Sequence, residues 1–139
     1  MAIRVKGLTK ELMILAERKG FEAVPEYRTR DGTRVDVALL MAGRPLLAVE
    51  FENSYKWIKQ RVLYNAVKAH RAGFRELWVV YPFKNLSLGG WLDEFISGEL
   101  GLMVRTLRPE GLTGEMKKRL EELLEEGNPA LAQDDLRVL

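Results

Sequence analysis

The apolar residues Leu8, Leu12, Leu15 and Ala16 recur at three- and four-residue spacing and stop at Gly20. That rhythm predicts an amphipathic helix over Thr9–Lys19, with Thr9 as its cap. It then shortens. Glu22–Arg28 and Arg34–Leu40 are β-like runs on either side of Arg30-Asp31-Gly32-Thr33, and Asp-Gly is a strong hairpin signal. Ala42-Gly43-Arg44-Pro45 is a second turn, and it leads into a third strand, Leu46–Asn53. From Ser54 to Ala72 the apolar positions Trp57, Ile58, Val62, Ala66 and Ala69 restore helical spacing, and Gly73 ends it. Leu77–Tyr81 is a continuous apolar run of the kind found in strands covered on both faces. Trp91–Ser97 predicts a short helix and Leu102–Leu107 another strand. Leu112, Met116, Leu120, Leu123 and Leu124 mark a last helix, Thr113–Glu126, stopped by Gly127 and Pro129. The expected order is αβββαβ followed by αβα, an α/β fold with a mixed central sheet flanked by helices.

The third strand reads Leu46-Leu47-Ala48-Val49-Glu50-Phe51-Glu52-Asn53, so an apolar run ends in two glutamates. Alternate strand residues share a face, which puts Glu50 and Glu52 on the same side. Whether Asp36 on the preceding strand joins them depends on hairpin register. A two-residue Gly43-Arg44 loop would pair Ala42 with Pro45, a residue with no N–H for the ladder, and is disfavoured. A three-residue loop pairs Asp36 with Glu52 and a five-residue loop pairs it with Glu50. Either one brings three carboxylates together. Two charges ~5 Å apart repel by roughly 3 kcal/mol at an effective dielectric near 20. Such a cluster therefore calls for a raised pKa or for a cation. The other reading is the solvent side of an antiparallel sheet, although Ala38, Leu40, Leu46 and Ala48 make the same face apolar farther along.

Composition narrows the chemistry. At 139 residues, 47% hydrophobic and 30% charged, the chain fits one domain, 1–139. It has no cysteine and a single histidine, His70, which is expected on a helix surface. Thiolate nucleophiles, disulfides and cysteine or histidine zinc clusters are excluded. A cation here must be held by oxygen, which favours Mg²⁺ or Mn²⁺. No apolar run approaches the ~20 residues of a membrane span, and a cytoplasmic protein without membrane contact is expected. Net charge is only +2, yet residues 1–109 hold 18 Lys/Arg against 12 Asp/Glu, and residues 110–139 hold 4 against 8. Between Asn53 and Gly73 lie Lys56, Lys59, Arg61, Lys68 and Arg71 with no acid among them. This suits either a polyanion or an ordinary solvated helix face.

The helix KELMILAERKGFEAV, the acid in RVDVALL, the pair in LLAVEFE and the helix that follows resemble the PD-(D/E)XK nuclease superfamily, and archaeal Holliday-junction resolvases and related small endonucleases in particular. The resemblance covers about residues 9–83 and leaves 84–139 as a C-terminal elaboration. It implies a restriction-endonuclease-like αβββαβ core and a DNA nuclease that uses one or two divalent metals, with branched or flapped DNA among its candidate substrates. Asp36 and Glu50, thirteen residues apart in between, match the two metal-binding acids. Glu11 matches an early helical glutamate that reaches the metal in resolvase-like members. Gln60-Arg61-Val62-Leu63-Tyr64 matches a Gln-x-x-x-Tyr motif of some branches. Glu52 is a departure, because it stands where the family has lysine.

On that resemblance Asp36, Glu50 and Glu11 are the expected metal ligands, and Glu52 is a further ligand or a general base. Lys56, or Lys59, would supply the missing ammonium from a displaced position. Arg28, Arg30 and Arg34 flank a hairpin turn, where they could grip a DNA backbone or form a plain basic loop. Gln60 and Tyr64 share a helix face, where they could brace the site, touch nucleic acid or form a polar edge. Trp57, Trp78 and Trp91 are expected in the core or an interface. Two-fold assembly would suit an enzyme that cuts two strands, with the acidic last helix and the tail through Leu139 as either sheet cover or dimer contact. The alternative is a non-catalytic nucleic-acid-binding or assembly protein that kept the fold and lost the lysine.

Overall fold

The structure, a computed structural model, describes residues 3–84 and 87–127. Pro129 and the tail through Leu139 lie outside the described residues. Helix α1 spans Val5–Lys19, and its end is the expected one: Gly20 takes the left-handed conformation (φ 84°) that closes the last turn. Its start lies earlier than Thr9, because Arg4 occupies the N-cap position with no side-chain cap. Strands β1 (Glu22–Arg28), β2 (Arg34–Met41) and β3 (Arg44–Phe51) form an antiparallel meander. Helix α2 (Ile58–Arg71) crosses over to β4 (Glu76–Val80), which lies parallel to β3. Helix α3 (Gly90–Glu94) continues into a π-helical turn, Phe95–Glu99, and leads to β5 (Met103–Leu107), parallel to β4. Helix α4 spans Leu112–Gly127.

Among the described residues this is an α/β protein with four α-helices and a five-stranded mixed sheet ordered β1-β2-β3-β4-β5. Helices α1 and α4 cover one face, where Leu12, Ala16, Met116 and Leu120 pack on Val37, Leu39, Leu47, Val49 and Trp78. Helices α2 and α3 cover the other, where Val62, Ala66, Ala69 and Leu92 pack on Ala38, Leu40, Ala48 and Val79. The small residues of α2 let the helix approach its sheet closely. All five residues of β4 are buried: Leu77–Val80 as the apolar run predicts, and Glu76 as a buried charge outside that run. No helix is long and apolar enough to cross a membrane among the described residues. Of the three tryptophans expected in the core or an interface, Trp78 is in the core, whereas Trp57 and Trp91 are exposed. His70 is on the surface.

The β2–β3 turn departs from both loops expected to align the acids. Ala42 and Gly43 are its two central residues, both at positive φ (52° and 77°), the pattern of a type I′ turn. Met41 pairs with Arg44 and Leu40 with Pro45, a register that would put Asp36 and Glu50 on opposite faces if it continued. It does not continue, because Leu46 is skipped. From Leu39↔Leu47 onward the register is that of an Asp36–Glu50 alignment. A β-bulge at Leu46 thus restores the face that the tight turn would have lost, and it accommodates a proline beside it. As a consequence Leu46 packs with the α1–α4 core and not on the α2 face.

Candidate active site

The last rung of the β2–β3 ladder is Val37↔Val49. One step on, side chains take over the backbone donors: Asp36 N–H donates to Glu50 Oε1 (3.4 Å) and Phe51 N–H donates to Asp36 Oδ2 (2.8 Å). Strand β3 meanwhile stays with β4, and Glu52 N–H donates to the Val80 carbonyl (2.9 Å). The sheet parts between β2 and β3 at the carboxyl end of β3, and the two acids stand in the opening. Open α/β sheets carry their binding crevices at such strand ends.

Glu50 is 3% exposed. Burial and then the neighbouring Asp36 charge push its carboxyl up to about 8, against the pull of Lys68. The Lys68 side chain, 8% exposed, reaches from α2 to place Nζ 2.7 Å from Glu50 Oε2. It also donates to the Arg34 carbonyl (2.6 Å) and lies 5.5 Å from the centre of the Tyr64 ring. Its approach to Glu50 lies off the hydrogen-bond direction, so Oε2 is charge-paired yet has no hydrogen bond.

A cleft of about 440 Å³ opens over this cluster, lined by Asp36, Glu50, Glu52, Gln60, Arg61, Tyr64, Asn65 and Lys68. Glu52 lines the cleft but turns away from the other two acids, accepting from Asn65 Nδ2 (2.9 Å) and Arg61 (3.3 Å). Asp36 and Glu50 are therefore a pair, and the expected three-carboxylate cluster does not form. Among the described residues no group of three or more Asp, Glu, His or Cys could hold a metal ion. Two adjacent carboxylates still fit, by the chemistry of their oxygens, a hard cation that keeps waters in its shell.

Glu11 is not at this cleft. It lies on α1, which packs on the opposite face of the sheet, and accepts from Thr113 Oγ1 (2.8 Å) in the first turn of α4. A carboxylate suits that helix N-terminus. Glu11 lines a separate cavity with Arg4, Leu8, Pro82 and Pro109.

Lys56 is not the displaced ammonium either. Trp57 adopts a left-handed backbone conformation (φ 56°), so α2 starts at Ile58 and Lys56 stays in the preceding exposed turn. Lys59 lines a neighbouring groove, outside the cleft. The ammonium that lies at Glu50 is that of Lys68. Gln60 and Tyr64 do reach the cleft, as their shared helix face implies.

At the β1–β2 tip, Arg34 is tied to Glu26 (3.0 Å), while Arg28 and Arg30 are exposed. Thr29, Asp31 and Thr33 form a hydrogen-bonded knot there. The Thr29 and Thr33 hydroxyls hold the Asp31 carboxyl well below the usual range, and Arg71 links this knot to α2 at 3.3 Å. The basic tip is thus fixed on the same side as the cleft.

Sequence reasoning missed Lys68, Asn65 and Arg61 as site residues. A signal was present: Arg61, Tyr64, Asn65 and Lys68 follow one another at three- and four-residue spacing from Trp57 and Gln60, along one side of α2. No family model matches this chain, and no curated protein matches it.

Proposed function

We propose that the protein is a divalent-metal-dependent nuclease that hydrolyses DNA phosphodiester bonds on a restriction-endonuclease-like core. The observation that carries this reading is the Asp36–Glu50–Lys68 constellation where β2 and β3 part, with Lys68 Nζ 2.7 Å from Glu50 Oε2. The αβββαβ order and the exposed basic hairpin tip support it.

Asp36 and Glu50 would hold Mg²⁺ or Mn²⁺, which when bound polarises a phosphodiester oxygen and lowers the pKa of a bound water. Lys68 carries the ammonium that the superfamily places two residues after its second acid, and offsets negative charge on the phosphate under attack. The Arg34 carbonyl and the Tyr64 ring hold that ammonium in the cleft. Glu52 is the carboxylate that orients Arg61 and Asn65 along the wall of the cleft. Arg28 and Arg30 would contact the DNA backbone without reading sequence.

A second reading is a non-catalytic nucleic-acid-binding or assembly protein. It is favoured by Glu50 already having Lys68 as its charge partner, and by the lack of a third acidic ligand among the described residues. Incubation with branched, flapped and linear DNA in Mg²⁺ or Mn²⁺, with an EDTA control, separates the two. The nuclease reading expects metal-dependent cutting that Asp36→Ala abolishes. Binding without cutting under every metal supports the second.

A further inference from the structure

Beside the cleft the chain displays aromatic side chains that no core absorbs. Trp57, Trp91 and Tyr64 are 71%, 68% and 59% exposed. Trp57 is the N-cap residue of α2, Tyr64 lies on the helix seven residues later in sequence, and Lys68, one turn beyond Tyr64, reaches Glu50. Trp91 stands across a groove of about 620 Å³ lined by Lys59, Gln60, Leu63, Leu88 and Gly90. Gln60 lines both groove and cleft, so the two are neighbours on α2.

Trp57 is the strongest clue. At φ 56° and ψ 30° it holds a backbone conformation that glycine or asparagine would adopt with less strain. Its carbonyl accepts the Arg61 N–H (2.9 Å) as the helix begins, while its side chain points into solvent. A large apolar ring is thus displayed to solvent at a backbone position that residue type disfavours.

The surrounding charge narrows what such a ring would meet. Lys56 and Lys59 have no side-chain hydrogen bond or ion pair among the described residues, and no acid occurs between Asn53 and Gly73. The nearest acid on the cleft side, Glu52, is engaged by Arg61 and Asn65. Asp93 and Glu94, which follow Trp91, do not line the groove. Flat exposed rings interleaved with free ammonium groups match a single nucleic-acid strand: rings stack on bases of any identity, and cations follow the phosphates. Paired bases inside a duplex present no free face to such rings.

We infer that the N-terminal half of α2 and the groove under Trp91 bind an unpaired nucleic-acid strand by base stacking and feed it toward Asp36 and Glu50. The inference rests on the reading of the cleft as a phosphodiester site and narrows its substrate to single-stranded or flapped DNA.

The test is fluorescence anisotropy of a labelled oligothymidylate and of a duplex of equal length, both in EDTA so that binding is read without cleavage. The expected result is tighter binding of the single strand, with quenching of tryptophan emission. Trp57→Ala and Trp91→Ala should each weaken it about tenfold while hardly changing duplex binding. Both side chains are exposed, so both variants are expected to fold, and circular dichroism checks this. Equal affinity for the two DNAs, or unchanged single-strand binding in both variants, overturns the inference. So does a dimer in light scattering that both variants dissociate, which would assign the patch to a second copy of the chain. If the wild type cuts DNA but the tryptophans are silent, only this inference fails. If stacking holds but no metal supports cutting, only the nuclease reading fails.

Discussion

Two glutamates of this protein are buried to nearly the same degree, Glu50 at 3% and Glu76 at 4% exposure, and both meet a helix-borne cation. Glu76 opens β4 on the α1–α4 side of the sheet. It accepts from Trp78 Nε1 at 2.8 Å and from the Arg119 guanidinium at 2.9–3.1 Å, so each oxygen has a donor. Arg119 in turn reaches Glu122 and Glu126. Glu50 closes β3 on the α2 side. Its Oε2 has no hydrogen bond, a second carboxylate lies beside it, and its carboxyl is raised to about 8. A forked guanidinium satisfies a carboxylate twice and in a fixed geometry, whereas a single ammonium pairs with it as a point charge. The same residue type at the same depth is therefore fully paired in one place, and in the other it is the residue that the proposed function makes chemical.

Removing Glu76 tests the structural half and has the largest expected effect. Glu76→Ala leaves Trp78 Nε1 without an acceptor and takes from Arg119 its buried partner, though Glu122 and Glu126 remain, and should cost about 3 kcal/mol in urea unfolding. Glu50→Ala should cost far less. If the two variants lose equal stability, the distinction between the sites collapses.

Lys68→Met probes the cleft. It should lower metal-dependent cleavage on the order of 10²-fold, measured as initial rate, because the ammonium near the phosphate is lost. A rate within twofold of wild type would return the missing lysine of the motif to an open question.

A pH series separates the glutamates further. The unfolded chain loses the Glu50 proton near 4.5, while the native chain keeps it to about 8. Between those values the native state binds the extra proton, so the stability associated with Glu50 falls as pH rises through the window. Glu50→Gln should thus be more stable than wild type by about 1–3 kcal/mol at pH 8.5, with Lys68 left unpaired in the variant limiting the gain. The advantage should shrink as pH falls toward 4.5. Urea titrations at pH 5 and 8.5 measure it, and an advantage that grows at low pH would reverse the assignment.

The smallest effect is expected at Glu52. Held by Arg61 and Asn65, it acts through its neighbours, and Glu52→Gln should slow cleavage less than tenfold. A thousandfold loss there would instead make Glu52 the general base.

Much of this frame was legible because periodicity reports which faces are covered. Strand β1 begins and ends at the residues its alternation marks, and Gly20 and Gly73 stop their helices' apolar patterns where expected. That Asp36 shares a face with Glu50 was also legible, although its alignment with Glu50 in place of Glu52, and the route to it, were not. A bulge adds one unpaired residue without a composition signal of its own, and only the pairing shows that Leu46 is skipped. The helix start at Ile58 was hidden by the left-handed Trp57, a conformation that residue type argues against. Lys68 looked like one more cation on a basic helix. Its role depends on how closely Ala66 and Ala69 let α2 approach the sheet, a packing fact that spacing alone cannot supply. Glu76 gave no sign because its partner, Arg119, is 43 residues away in sequence.

The most direct measurement is the initial rate at which Glu50→Gln cuts flapped DNA in Mg²⁺, compared with wild type in the same buffer. The substitution keeps the shape of the side chain and removes only its ability to carry charge toward a cation. Cleavage by the wild type with a loss on the order of 10³-fold in the variant, at equal or higher folding stability, is the result this account predicts. A variant that cuts as fast as wild type would contradict it.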